Sequence, residues 1–189
     1  MKKHAAVVAD HFYLRPLTLE DIDDGWLDWM NDTNTTKFLT NTESINRASL
    51  VKYLESAQPP NTYMFAICQT QDNRYIGNAK IGSINWVHRH ATYGRLIGDH
   101  SATGKGIGTG VIQALAGYAF FQLKLHRIYT SVANDNIASI RSNKRAGASI
   151  EGELKEHFFC GGRYLDCTSF SFLSTDFEKA NWERHFQIE

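Results

Sequence analysis

The sequence predicts one mixed α+β domain whose sheet is mainly antiparallel. Three β-rich segments between residues 63 and 97 are separated by short polar or basic connections, a pattern typical of an antiparallel meander. The third of them leads through a glycine-rich turn into residues 107–124, which are apolar nearly all round and are therefore expected to form a buried helix. The 189 residues contain no internal repeat and no linker, so we expect a single domain over 1–189.

The other elements follow from periodicity and from capping or breaking residues. Thr18 is a candidate N-cap with Asp21 three residues on, Pro59 and Pro60 end the second helix, and Gly147 is a candidate C-terminal cap. The expected helices are 18–30, 45–57, 107–124, 137–146 and 174–186. The expected strands are 12–14, 63–68, 75–87, 92–97, 127–132, 148–153, 154–160 and 164–173.

Composition argues against several classes of function. Lys and Arg number 20 and so do Asp and Glu, and this balance gives no global field to recruit nucleic acid or an acidic membrane. The three cysteines lack C-x-x-C spacing, which disfavours a zinc knuckle or a disulfide framework and favours the cytoplasm. No apolar run is long enough to cross a membrane. We therefore expect no nucleic-acid, membrane or metal partner.

The segment 104–110, Gly-Lys-Gly-Ile-Gly-Thr-Gly, is the strongest functional signal. It opens a helix, where backbone N–H groups lack internal partners and the helix dipole is positive, and its glycines let an anion approach the backbone. The spacing fails the Walker A pattern, because Gly106 stands where Ser or Thr is needed. It also fails the strict dinucleotide fingerprint. Gly104-x-Gly106-x-Gly108 fits the G-x-G-x-G/A loop of acetyl-coenzyme A enzymes, and a flexible turn is the simpler alternative.

A second signature follows the loop. Asn136-Ile137-Ala138-Ser139, with Gly147 eleven residues after Asn136, completes an order of strand, glycine loop, long helix, strand and short helix. This order resembles the GCN5-related N-acetyltransferase (GNAT) superfamily over nearly the whole chain. The opening Leu14-Arg15-Pro16-Leu17 and the tail 151–166 resemble its ribosomal-protein N-acetyltransferase branch. Segments 76–78, 84–89 and 104–106 show a looser similarity to acetyltransferases of nucleotide-linked amino sugars.

The resemblance implies a twisted, mostly antiparallel mixed sheet of about six or seven strands flanked by helices. It also implies acetyl-CoA as cosubstrate and an amine as acceptor. The pantetheine arm would lie where strand 93–97 splays from strand 127–132, and the pyrophosphate would lie on the glycine loop. The residues implied in cofactor binding are Leu96, Ile97, Gly98, Gly104, Lys105, Gly106, Ile107, Gly108, Thr109, Asn136 and Ser139.

The sequence departs from the family pattern at two positions. Many members carry Arg or Gln immediately before the first loop glycine, where this chain has Thr103, so a cationic phosphate contact is lost. Many also carry a tyrosine seven residues after the signature Asn, as general acid toward the leaving thiolate, and here that position is Asn143. Ser139 or Asn143 would then hydrogen-bond the thiolate.

The general base is not evident from sequence. Glu151 and His88 are candidates, and Glu156 and His157 are further candidates. An amine with a pKa of about 10.4 costs roughly 4–5 kcal/mol to deprotonate at pH 7, whereas one near 8 costs about 1 kcal/mol. The missing base therefore favours a low-pKa amine such as an amino sugar or a protein N-terminus.

Three functions remain open at this level. The first is an N-acetyltransferase acting on a small-molecule amine, in particular a nucleotide-linked amino sugar. The second is a protein N-terminal acetyltransferase of the ribosomal-protein type. The third is a non-catalytic CoA-binding or sensing domain, and either a monomer or a homodimer is compatible with the sequence.

Overall fold

The computed structural model describes residues 6–39 and 45–188 and contains a single mixed sheet. Within those residues the sheet has nine strands in the order β7-β8-β6-β5-β4-β3-β2-β1-β9, and every pairing is antiparallel except β5 with β6. The strands are β1 Val7–Ala9, β2 Phe12–Pro16, β3 Tyr63–Gln69, β4 Tyr75–Asn85, β5 His90–Ile97, β6 Arg127–Ala133, β7 Ser149–Cys160, β8 Arg163–Leu173 and β9 Phe186–Gln187.

The predicted number of six or seven strands was too low. The two additional strands, β1 and β9, are three and two residues long and pair with each other at one edge. Segments this short carry no readable alternation, so tertiary pairing alone defines them. The expected helix 174–186 was also wrong, because this segment contains only a 3₁₀ turn, Ser174–Asp176, and a single α-helical turn, Lys179–Trp182. Phe186 lies in β9, where it is buried beside Phe12.

Helices cover both faces of the sheet. On one face lie α4, Ile107–Gly117, which continues through a π turn Tyr118–Gln122, then α5, Ile137–Ala146, and the short α6, Lys179–Trp182. On the other face lie a kinked segment Ile22–Trp26, in which Gly25 has a φ of 129°, then α1 Leu27–Asn31, α2 Thr33–Thr36 and α3 Arg47–Ser56. Gly147, at φ 92°, caps α5 as expected.

The single parallel pair creates the opening used by the site. Residues of β5 pair with β6 only from His90 to Thr92, opposite Arg127 to Tyr129. Beyond these three pairs β5 continues to Ile97 alongside β4, while β6 continues to Ala133 alongside β8. The two strands therefore diverge in a V, as the resemblance implied, and the connection through α4 places the helix start at the open end.

Candidate active site

A cavity of about 280 Å³ occupies the gap between the diverging strands, and we call it the inter-strand cavity. Its walls are residues 93–95 of β5, residues 130–133 of β6 and the start of α5 at Asn136 and Ser139. Phe158 and the segment at Phe38 close the remaining side. An extended molecule entering this gap would meet the unpaired edge of β5.

The glycine loop forms a cradle of unpaired backbone donors. Gly104 and Gly106 adopt φ of 77° and 79°, in the left-handed region that glycine adopts without strain. Across the described residues, the N–H groups of residues 104–108 donate to no protein acceptor. A Cβ at Gly104 or Gly106 would meet no atom within 4 Å, so open space faces the loop. The cradle fits an anionic group.

The backbone N–H group of Thr109 is not one of the unpaired donors of the cradle. Its N–H donates to the Gly106 carbonyl over 3.0 Å, so the cradle ends at Gly108 rather than at Thr109. Lys105 is exposed at the loop tip, and no carboxylate pairs with it in the part of the chain that the structure describes.

Gly98 has a structural role that the sequence did not indicate. A Cβ at this position would lie 1.9 Å from Cδ2 of Trp29, so the glycine makes room for the indole. Its N–H already donates to the Ile76 carbonyl over 3.0 Å. Leu96 and Ile97 lie on the stretch of β5 that has no partner in β6, so they remain at the open edge.

The side chain of Arg95 reaches the start of α4. A Cβ at Gly108 would sit 3.1 Å from Nε of Arg95, which places the half-buried guanidinium against the first helical turn. Among residues 6–39 and 45–188 no acceptor or carboxylate binds it. Burial lowers the pKa of Arg95 to about 10, so the group still carries its charge at neutral pH. It supplies a cation near the cradle, where Thr103 supplies none.

Asn143 and Tyr93 form a buried pair next to the inter-strand cavity. The Tyr93 hydroxyl donates to Oδ1 of Asn143 over 2.7 Å, and the two residues are 4% and 1% exposed. Nδ2 of Asn143 donates to the Ser139 carbonyl over 2.9 Å, so both ends of the amide are engaged. Burial raises the pKa of Tyr93, which keeps its hydroxyl protonated.

Asn136 and Ser139 are brought together as expected. Asn136 caps α5, with Oδ1 accepting the Ser139 N–H over 3.1 Å. Both residues line the inter-strand cavity. The Asn-x-x-Ser signature is thus at once a helix cap and part of the cavity wall.

Glu151 and His88 do not join this group. Glu151 forms a two-pronged ion pair with Arg127, which lies at the closed end of the β5–β6 pair. His88 is exposed on the turn before β5, and its ring stacks on His90 at the same closed end. Neither residue lines the inter-strand cavity. The geometry therefore removes the support for either as general base.

A larger cavity of about 490 Å³ lies on the opposite face of β5, and we call it the apolar cavity. Trp26, Met30, Leu50 and Met64 are among its walls. It shares Leu39, Gly94 and Arg95 with the inter-strand cavity. A Cβ built on Gly94 would meet no atom within 4 Å, so the strand is open between the two cavities at this residue.

Sequence reasoning missed Tyr93, Arg95 and Asn78 as site residues. Tyr93 and Arg95 are two apart on β5 and so share one face of the strand, a signal that was present in the sequence. What they contact there, Asn143 and Gly108, depends on the packing of α5 and α4. Asn78 pairs with Leu96 from the neighbouring strand and lines the apolar cavity.

Other site types find no support in the described residues. No group of three or more His, Cys, Asp or Glu side chains in that part of the chain is placed to hold a metal ion. None of its helices is long and apolar enough to span a membrane.

The comparisons agree with this geometry. The acetyltransferase (GNAT) domain family matches residues 11–149. The probable N-acetyltransferase YjcK of Bacillus subtilis is 32% identical over 136 residues, covering 70% of this chain and 74% of its own length. A spermidine N(1)-acetyltransferase of Vibrio cholerae is 33% identical over 113 residues, covering 60% of this chain and 64% of its own length.

A solved structure shares the fold. The Vibrio cholerae spermidine N-acetyltransferase in complex with CoA and spermine superposes with a TM-score of 0.81 at 26% identity, over 88% of this chain and 97% of that one. The diverging strands, the glycine loop and these similarities lead to one conclusion: the chain belongs to the GNAT acetyltransferase family and is an N-acetyltransferase.

Proposed function

We propose that this enzyme transfers the acetyl group of acetyl-CoA to a primary amine of a small molecule. The observation that carries the proposal is the position of five free N–H groups, those of residues 104–108, at the open end of the gap between β5 and β6. A backbone cradle binds phosphate, and an open strand edge binds an amide-containing arm. CoA carries both groups, and it is bound by the Vibrio cholerae relative.

Each part of the cosubstrate has residues suited to it. Residues 104–108 and the Arg95 guanidinium would hold the pyrophosphate, because unpaired N–H groups and an unpaired cation both favour an anion. The edge of β5 at Leu96 and Ile97 would hold the arm. Asn136 and Ser139 would line its far end. Acetyl-CoA supplies the acetyl group as an activated thioester.

Tyr93 takes the place of the absent tyrosine at position 143. Asn143 itself has no free amide atom for a thiolate, since Tyr93 and Ser139 engage both ends. The Tyr93 hydroxyl lies 2.7 Å from Oδ1 of Asn143, Tyr93 lines the inter-strand cavity, and burial keeps the hydroxyl protonated. It is therefore the group best placed to give a proton to the departing sulfur.

The acceptor amine enters from the apolar cavity and meets the thioester at Gly94. Of the residues that the structure describes, no Asp, Glu or His lines either cavity. The described residues therefore place no protein base at the reacting nitrogen, and a low-pKa amine deprotonated through water suits the site. A cavity of about 490 Å³ also suits a small molecule.

The test is release of free thiol from acetyl-CoA across a panel of amines: amino sugars, nucleotide-linked amino sugars, polyamines, aminoglycosides and peptides with free N-termini. We expect release with one or more of the small molecules at neutral pH. Release with peptides alone would instead identify a protein N-terminal acetyltransferase of the ribosomal-protein type. Absence of release with every amine, despite CoA binding, would refute the proposed function.

A further inference from the structure

Among the described residues that line the apolar cavity, the charged side chain on the cavity's own face of the sheet is that of Lys80, beside the phenol of Tyr53. Arg95 also lines the cavity, but its guanidinium lies at Gly108 on the opposite face, and no described carboxylate lines the cavity. The amine-binding site of a polyamine acetyltransferase must accept a second ammonium group, which acidic side chains would stabilise. This cavity offers the opposite electrostatic environment.

Lys80 carries an uncompensated charge. Its Nζ donates to the Tyr53 hydroxyl over 2.9 Å and lies 5.4 Å from the centre of that ring. No carboxylate of the described residues forms an ion pair with it. In the sheet Lys80 is the register partner of Gly94, so its backbone is one strand spacing, about 5 Å, from the point where the two cavities adjoin.

Asn78 adds a directed donor to the same wall. The residue is 5% exposed, and its Oδ1 accepts a hydrogen bond from the Tyr75 hydroxyl over 2.5 Å. Its buried Nδ2 has no hydrogen-bond partner among the described residues. A buried donor without a partner is costly, and an oxygen of a bound molecule would satisfy it.

Resting on the proposed function, we infer that the acceptor is a primary amine with an apolar or ring-shaped body and an anionic group, a carboxylate or a phosphate, rather than a polyamine. The anionic group pairs with Lys80, an oxygen accepts from Asn78 Nδ2, and the body packs against Trp26, Met30 and Leu50. The amine nitrogen points to Gly94. The nitrogen forms a bond to the acetyl carbon as the carbon–sulfur bond breaks. It loses its proton to water, the departing thiolate takes a proton from Tyr93, and Tyr93 regains one from solvent, so that the amide and the free thiol of CoA are the products.

The experiment compares matched amines with acetyl-CoA in the thiol-release assay. The carboxylate source is tested by 4-(aminomethyl)benzoate against benzylamine, and the phosphate source by glucosamine 6-phosphate against glucosamine, with spermidine as the polyamine. In at least one pair we expect the anionic member to exceed its neutral partner and spermidine in kcat/KM by about 10- to 100-fold, as one charge-assisted contact provides.

Variants of Lys80 and of a control lysine, Lys52, test whether Lys80 causes the preference for the anionic amine. Lys80→Gln should lower the preference for the anionic amine over its neutral partner about tenfold, and Lys80→Glu should turn the preference toward spermidine. The matched control is Lys52→Gln on α3, an exposed lysine outside the cavity lining, which should leave both ratios unchanged.

Two outcomes would overturn the inference. One is spermidine as the best substrate with a preference that Lys80→Gln does not alter, which leaves the proposed function standing. The other is equal use of the anionic and neutral members of both pairs. If no amine is acetylated while CoA binds, the proposed function fails first and this inference with it.

Discussion

The hydroxyl of Tyr93 on β5 donates a hydrogen bond to Oδ1 of Asn143 on α5 over 2.7 Å. The two residues are fifty positions apart in the chain. The phenol therefore reaches, from a strand, the side chain of α5 at position 143. Arg95 lies two residues further along the same face of β5, and its guanidinium lies beside Gly108 at the start of α4. It places a positive charge near the glycine loop, where Thr103 has none.

Tyr93→Phe should lower kcat by about 10²-fold or more, because the variant removes the proton donor without changing the shape of the site. The measurement is steady-state kinetics with acetyl-CoA, alongside thermal unfolding to verify that the fold is retained. Since burial raises the pKa of Tyr93 above its usual 10, the wild-type kcat should show no loss of this donor below pH 10. Adding Asn143→Tyr should restore part of kcat. A stable Tyr93→Phe enzyme with normal kcat would contradict the assignment.

Arg95→Gln should raise the KM for acetyl-CoA about 10- to 100-fold, the size of a hydrogen bond to a charged group. S-acetylpantetheine lacks the pyrophosphate and provides the control donor. The variant should therefore lower the preference for acetyl-CoA over S-acetylpantetheine. An unchanged preference would mean that the guanidinium does not contact the phosphates.

Gly106→Asp should weaken CoA binding more than about 30-fold relative to Gly106→Asn. Asp and Asn have nearly the same size, and both adopt the left-handed conformation of Gly106 more readily than most residues. The comparison of the two variants therefore isolates the effect of a negative charge in the cradle. Isothermal titration calorimetry with CoA measures the difference. Equal CoA affinities of the two variants would show that the glycine loop does not bind the pyrophosphate.

Asp21→Ala should destabilise the fold by about 3–5 kcal/mol, because it leaves the poorly solvated guanidinium of Arg15 without a carboxylate partner. The carboxylate is buried and accepts from Arg15 at 2.5 and 2.8 Å and from the Thr18 N–H at 2.7 Å. Urea unfolding measures the change. Asp23→Ala, which breaks an exposed ion pair with Arg47, is the control and should have little effect.

The stability contributed by Asp32 should depend on pH. Hydrogen bonds from the Thr35 hydroxyl, from His100 and from the Asn34 N–H lower the pKa of Asp32 to about 2. A carboxyl whose pKa is depressed by folding stabilises the protein above its unfolded pKa, near 4, and loses that contribution as the pH falls toward 2. In urea unfolding, the difference between wild type and Asp32→Asn should shrink between pH 5 and pH 2.5. A constant difference would contradict this role.

Local sequence determined the parts of this protein that depend on neighbouring residues. The glycine turn, the buried helix after it, the short helix 137–146 and the Gly147 cap each follow from backbone conformation and hydrogen bonding within about ten residues, and the structure confirms them. The comparisons confirm the family that these motifs indicated. The ribosomal-protein branch and the amino-sugar acceptor stay predictions.

Only the tertiary structure determines which residues from distant parts of the chain contact these motifs. The short strands β1 and β9 are defined by pairing, of β1 with β2 and of β9 with β1. Glu151 lies away from the cavities because Arg127 binds it at the closed end of the sheet. The contacts of Tyr93 with Asn143 and of Arg95 with Gly108 join segments between which sequence periodicity carries no information. Packing of α4 and α5 against the face of β5 creates these contacts, and it brings the Arg95 guanidinium and the Tyr93 hydroxyl to the site that we propose for acetyl transfer.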